Sequence, residues 1–263
     1  MTRRPVLIAL MALSAATLQA DLPFDFTITP ANLDGTVYRE KVSHFSLSSP
    51  DGGFTLPLTG TQAVLKCLRE KGKTVIVLRT GLSREETLAE RDAAASLEDT
   101  RFLTLDSPGI RAVSSRLRGA ADPIAAVEQF VHGHIAEKKP GIPLIPAKEV
   151  LRIRRGDCTE HSVLAAALLR SLAVPARALV GVYLAEEFMG KKDVFVYHMW
   201  VEAYRHGRWR IVDATRPGGS ATNRYIAFAL HNLKTETPLP YLRAIGAIQG
   251  LSIRYCGRRV EGD

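Results

Sequence analysis

The residues of this 263-residue sequence best suited to covalent chemistry are Cys158, His198 and Asp213. Asp157 is a good helix N-cap, and Glu160 three residues on gives a reciprocal capping box. Cys158 then falls at the first helical position, among free N–H groups and partial positive charge. That setting favours thiolate, the nucleophilic form of cysteine. Gly156 supplies the tight backbone turn that such a placement needs. Taken alone, Cys158 reads equally well as a small buried residue at a helix start.

His198 lies in an expected strand over 194–204, where alternate side chains share a face: Val196, His198, Trp200 and Glu202 on one side, Met199 and Val201 on the other. His206-Gly207 reads as a two-residue turn, and 209–214 as the returning strand. If Arg205 pairs with Arg208, Asp213 lies opposite Trp200 and diagonal to His198. If the register is tighter by two residues, Asp213 lies directly opposite His198. In either register the carboxylate shares a face with His198 and can hold one imidazole nitrogen, leaving the other for a thiol. A lone histidine or aspartate here would be a core or turn residue. The three together are what an activated nucleophile, its base and an orienting acid require.

These motifs resemble those of the transglutaminase-like superfamily. The run Gly156-Asp157-Cys158-Thr159-Glu160-His161 resembles its cysteine motif. Leu168-Leu169-Arg170 and Val174-Pro175-Ala176-Arg177 resemble the helix end and next strand, His198-Met199-Trp200-Val201-Glu202 the histidine strand, and Val212-Asp213-Ala214-Thr215 the aspartate strand. Alanine at 214 replaces the proline of many members. The resemblance runs over roughly 101–256 and is tight over 147–217. It implies an α+β, papain-like fold: a cysteine-bearing helix on an antiparallel sheet, preceded here by a small β-rich region. It also implies a Cys158–His198–Asp213 triad acting on amide bonds through a thioester, with no cofactor. Trp200, Gly156 and Asp157 are expected to shape the site, and Trp200 to screen it from water.

The elements that must position these residues follow from patterning. Over 21–100, strands are expected at 36–47, 54–58 and 73–78, with a short helix over 62–70. Ser83-x-x-Glu86 signals a capped helix running to about Leu97. No chemistry attaches to this region. A second unit is expected over 101–257, followed by a tail at 258–263. Asp122-Pro123 starts a helix bearing Ile124, Val127, Phe130, Val131 and Ile135 at helical spacing. Pro140 and Pro143 end it, and 147–153 forms another short helix. A strong helix follows Cys158, then a strand over 176–184, a polar loop over 186–193, and strands over 224–230 and 251–256.

Composition narrows the function classes. Apolar residues make up 46% of the chain, enough for a sizeable core. The net charge of +8 suits anionic partners, but the basic residues are scattered, without an aromatic-interleaved stripe, which argues against nucleic-acid binding. Residues 1–20 have the layout of a secretory signal: Arg3 and Arg4, an apolar run from Val6 to Leu13, then small residues. Cleavage is expected after Ala20, although Ser14 and Ala16 offer the better small-residue pattern. The mature chain is then exported, periplasmic or secreted, with no membrane insertion and a protein or peptide substrate in the cell envelope. Cys67 and Cys256 are a candidate disulfide, left open by sequence. A metal site at His132 and His134 with His161 or Cys158 has the wrong ligand spacing. Hydrolysis is favoured, with acyl transfer to an amine and a binding module with an idle triad as the other classes.

Overall fold

The computed structural model describes residues 27–50, 52–138, 144–219, 221–231, 233–234 and 250–257. The expected signal segment, the two prolines at 140 and 143 and the 258–263 tail lie outside them. The elements are β1 (Thr27–Ile28), β2 (Ser43–Ser49), β3 (Gln62–Glu70), β4 (Lys73–Thr80), α1 (Glu90–Leu97), α2 (Pro108–Leu117), α3 (Pro123–His134), β5 (Glu137–Lys138), α4 (Ala147–Ile153), β6 (Arg155–Gly156), α5 (Cys158–Ser171), β7 (Ala176–Phe188), β8 (Lys191–Arg205), β9 (Arg208–Val212), β10 (Tyr225–His231) and β11 (Ser252–Gly257). The fold is α+β, as expected.

The larger sheet runs β1-β8-β7-β10, with β9 also paired to β8, and its pairs are antiparallel. The buried run Val163–Leu169 of α5 packs on one face, against Ala178, Val180, Met199 and Val201. The opposite face carries a second cluster of Leu179, Tyr183, Val196, Trp200 and Tyr225. Period-two alternation along β7 and β8 therefore sends one set of residues to the helix and the other to an aromatic layer. The smaller sheet, β11-β2-β4-β3, contributes Phe45, Leu47, Ile76 and Leu78 to the same core as α5. Phe45 meets Phe195 of β8 edge to face, ring centroids 5.4 Å apart.

Three hairpins close on X-Gly pairs with both φ angles positive: Lys71-Gly72, Met189-Gly190 and His206-Gly207. This backbone matches the twist of the flanking strands. The last of them fixes the register that matters. Arg205 pairs with Arg208 and Val201 with Val212, which puts Asp213 diagonal to His198, the first of the two expected registers.

Several expectations need correction. Residues 62–70 form strand β3, not a helix, because the Lys71-Gly72 turn folds them back onto β4. The pairing outweighs a composition rich in helix formers. Ser83 and Glu86 do not cap a helix. Arg208 takes the carbonyl and hydroxyl of Ser83, the Glu86 N–H donates to Gly207, and the Glu86 carboxylate accepts the Trp209 indole N–H. α1 starts only at Glu90. Residues 35–38 form a 3-10 turn before β2, and 54–58 form no strand, although Phe54 packs on Phe228. The expected loop at 186–193 is largely strand, closed at Met189-Gly190. Helix α2, opened by Ser107 capping Ile110 and Pro108 at its first turn, was not anticipated. Cys67 and Cys256 are both free. They sit on the two outer strands of the smaller sheet, three strand spacings apart. That is roughly 14 Å, about twice the reach of a disulfide.

Gln62 joins the two sheets. Its amide donates to Pro57 O and Ala227 O at 3.0 and 3.1 Å and accepts the Ala227 N–H at 2.8 Å. It fills the β10 ladder where the register shifts between Ala227 and Ala229. Gln62→Leu strands these backbone groups and should lower unfolding free energy by about 2–4 kcal/mol. Lys66→Ala on the exposed part of the same strand should stay within about 0.5 kcal/mol. Urea unfolding of both variants checks this, and equal effects would contradict the joint.

Candidate active site

Each expected site residue is placed by a separate local device. Asp157 caps α5, its Oδ1 accepting the Thr159 N–H at 2.9 Å. Glu160 Oε2 accepts the Asp157 N–H at 2.9 Å, which closes the capping box. Cys158 is the first residue of the helix and partly exposed. Gly156 is indispensable for a steric reason: a Cβ there would lie 2.4 Å from the Cβ and Cγ of Glu160. The Glu160 side chain lies folded against the Gly156 backbone, fully buried. Burial first, and then the Asp157 carboxylate, push its carboxyl up to about 8.

His198 projects from the middle of β8, opposite Gly181 of β7. Its Nε2–H donates to Asp213 Oδ2 at 2.7 Å. The Cys158 side chain lies near enough to raise the proton affinity of the imidazole. With Nε2 engaged, Nδ1 is the nitrogen left for sulfur. The structure thus brings together the three residues singled out by type and spacing.

Asp213 follows the end of β9 and its carboxylate is saturated. Oδ1 accepts the Thr215 N–H and hydroxyl at 3.1 and 2.6 Å, and Oδ2 accepts the Tyr225 hydroxyl at 2.8 Å besides His198. The Asp213 N–H donates to Glu128 Oε1 of α3 at 2.9 Å, which ties the residue to the helical layer. Trp200 stacks beside His198, ring centroids 6.1 Å apart at 19°, and Tyr183 and Tyr225 complete the wall at 5.9 and 6.2 Å. Trp200 and Trp209 are both buried.

Electrostatics follow from this packing. Burial alone would disfavour the imidazolium, but the adjacent Asp213 carboxylate, the hydrogen bond to it and the nearby Cys158 side chain outweigh it. His198 rises from 6.5 to about 10. For Asp213 burial would favour the neutral acid, but His198 and the donors Thr215 and Tyr225 hold it well below the usual carboxylate range. Tyr225, buried and facing that carboxylate, is pushed well above its ordinary value and stays a donor.

Sequence reasoning missed Thr215, Tyr225, Glu128 and Tyr183. An Asp-x-Thr turn was a readable signal for Thr215. Tyr225 and Glu128 reach Asp213 from elements whose packing no local pattern fixes. His132 and His134 each give a ring nitrogen to a backbone carbonyl, of Ala214 and Leu151. Among the described residues no group of three or more metal-ligating side chains comes together.

Residues 111–214 match the family model of the transglutaminase-like superfamily. That stretch includes Cys158, His198 and Asp213 in the observed order. A structure from Cytophaga hutchinsonii, provisionally named a cysteine protease, superposes with a TM-score of 0.50 at 16% identity, covering 87% of this chain and 82% of that one. The periplasmic domain of TgpA from Pseudomonas aeruginosa aligns with a TM-score of 0.45 at 15% identity, over 73% and 93% of the two chains. No curated protein matches the chain. At 16% identity, the likeness to the first of these structures speaks for the fold alone. The superfamily is one of generally cysteine-dependent enzymes.

The His198–Asp213 pair makes stability depend on pH at both ends. His198 is raised on folding, so its contribution is complete below its unfolded value of 6.5 and is lost as pH climbs through about 10. Asp213 is depressed, so its contribution is present above the ordinary 3.8 and is lost as pH falls through its lowered folded value. Asp213→Asn should therefore cost about 3 kcal/mol near neutrality, the scale of breaking a buried pair. Denaturant titrations at several pH values should show the gap narrowing above pH 10. A gap that does not vary with pH would contradict the pairing.

Proposed function

We propose that this chain is an exported thiol enzyme that cleaves amide bonds of proteins or peptides, with Cys158 as nucleophile, His198 as base and acid, and Asp213 as the orienting residue. The observation that carries this reading is His198 bonded to buried Asp213 through Nε2 at 2.7 Å, with Cys158 at the start of α5 near enough to act on the imidazole. Residues 101–257 hold the catalytic unit in this reading. The basic-then-apolar layout of residues 1–20 supports export. Among the described residues no helix is long and apolar enough to cross a membrane.

The chemistry follows from the placement. The Cys158 sulfur, its proton already held on His198, attacks the amide carbonyl carbon, and the carbonyl π electrons move to oxygen. The Cys158 N–H, at the first turn of α5 and without an intrahelical acceptor, is the natural first donor to that oxyanion. The tetrahedral species collapses as the C–N bond breaks, and His198 protonates the departing amine. A thioester remains. Water then attacks its carbonyl, His198 takes the water proton, and the C–S bond breaks to release a carboxylic acid and restore the thiolate. An amine in place of water would give acyl transfer.

The test offers glutamine-containing peptides and peptide amides, with and without a labelled primary amine. Release of ammonia or of cleaved peptide, without incorporation of the label, is expected. Cys158→Ala should lower the rate by at least about a thousandfold, as loss of a triad nucleophile does. Label incorporation into product would move the assignment to acyl transfer. Turnover that survives Cys158→Ala would overturn the nucleophile.

A further inference from the structure

The arginines around the two β8 hairpin partners each bond an acid, with one exception. Arg177 bonds Glu202 at 2.7 Å. Arg205 and Arg210 share Asp122, and Arg208 pairs with Glu85. Arg224 bonds Glu186 at 2.8 Å. Arg216 is exposed and has no acidic partner among the described residues. Its backbone is pinned in the turn after the catalytic aspartate, its N–H donating to Asp213 O at 2.8 Å. Its guanidinium lies 4.3 Å from the centre of the Tyr183 ring. That ring in turn stands 5.9 Å from the imidazole of His198 and 4.7 Å from Tyr225.

This arrangement differs from a solvated surface arginine. Stacking on an aromatic ring holds the guanidinium plane and leaves its N–H edge free to bond a planar anion in a two-pronged way. The tyrosine beneath it already has a second guanidinium, Arg224, 3.4 Å from its hydroxyl, and that one is neutralised. The positive charge left at this wall of the site is therefore that of Arg216. A carboxylate is the complementary partner in geometry and in charge.

We infer that Arg216 selects substrates that carry a carboxylate beside the reacting amide. The inference rests on the proposed thiol chemistry at Cys158, and its test is built to separate the two. Arg216 takes no part in bond breaking in this account. It is a specificity residue that draws in and orients acidic substrates.

The probes are two small alkylating agents of nearly equal size, iodoacetate and iodoacetamide, one anionic and one neutral. Reaction at Cys158 is followed by peptide mass, because Cys67 is exposed and will also react. The readout is the ratio of the two rates at that one residue. Arg216→Ala should lower the iodoacetate-to-iodoacetamide ratio by at least about threefold at low salt, with the difference fading as salt is added. Arg216→Lys should keep most of the ratio, and Arg208→Ala, at the far hairpin turn, should leave it at the native value. A ratio unchanged in Arg216→Ala would overturn the inference whatever the thiol reactivity. A ratio that falls while Cys158 reacts no faster than a free thiol would establish the anion site and sink the proposed catalysis instead.

Peptides then identify the source of the carboxylate. Matched substrates carrying glutamate or glutamine next to the cleaved bond, each with a free or an amidated C-terminus, are compared by kcat/KM. Discrimination of about tenfold for one acidic form, lost in Arg216→Ala, says whether a side chain or a chain end is read. Equal rates for all four would overturn the inference.

Discussion

The contact between His198 and Asp213 constrains more of this structure than any other. A buried carboxylate and a buried imidazole are each costly to bring out of water, and together they are tolerable only when hydrogen bonds fill their remaining valences. The carboxylate has four such bonds, from His198, Tyr225 and two atoms of Thr215. Meeting that requirement draws in β8, β10 and the turn after β9, and the Asp213 N–H reaches α3 through Glu128. The His206-Gly207 hairpin then acquires a definite purpose. A slip of one residue would turn Asp213 to the other face of the sheet and leave both groups buried without partners.

The cysteine side of the site rests on close approach. Gly156 lets the Glu160 side chain fold back on the backbone just before α5, and the capping box that results fixes where the helix starts. Gly181 does the same beneath His198, where a Cβ would meet Ile226 O at 2.0 Å. The α5 helix is itself clamped between the larger sheet and the core shared with the smaller one, with Val163 to Leu169 fully enclosed. Cys158 therefore stands on a rigid element, and His198 on the middle of a doubly paired strand. Fixed geometry of this kind is what the proposed proton transfer between sulfur and nitrogen requires.

The segment proposed to be catalytic was legible because its signals are local. An N-cap three residues before a glutamate, a histidine in an alternating strand, and an X-Gly turn between two strands are short-range rules; they singled out Cys158 and His198 and left two registers for Asp213. The N-terminal region was read poorly where tertiary pairing overrides composition. Gln62 to Glu70 looks helical by residue type, yet the Lys71-Gly72 turn and the β10 edge make it a strand. Ser83 and Glu86 have capping chemistry, but arginine and tryptophan side chains of the β9 hairpin use those groups first. Tyr225 and Glu128 were out of reach altogether, because their role depends on which elements lie beside Asp213.

The central claim is that His198, held by Asp213, activates the sulfur of Cys158. The pH dependence of Cys158 alkylation by iodoacetamide, in the native protein and in His198→Ala, tests it most directly. The account predicts rapid reaction in the native protein that persists well below the ~8.5 of an ordinary thiol, and loss of that reactivity in His198→Ala. Ordinary thiol behaviour in both proteins would contradict it.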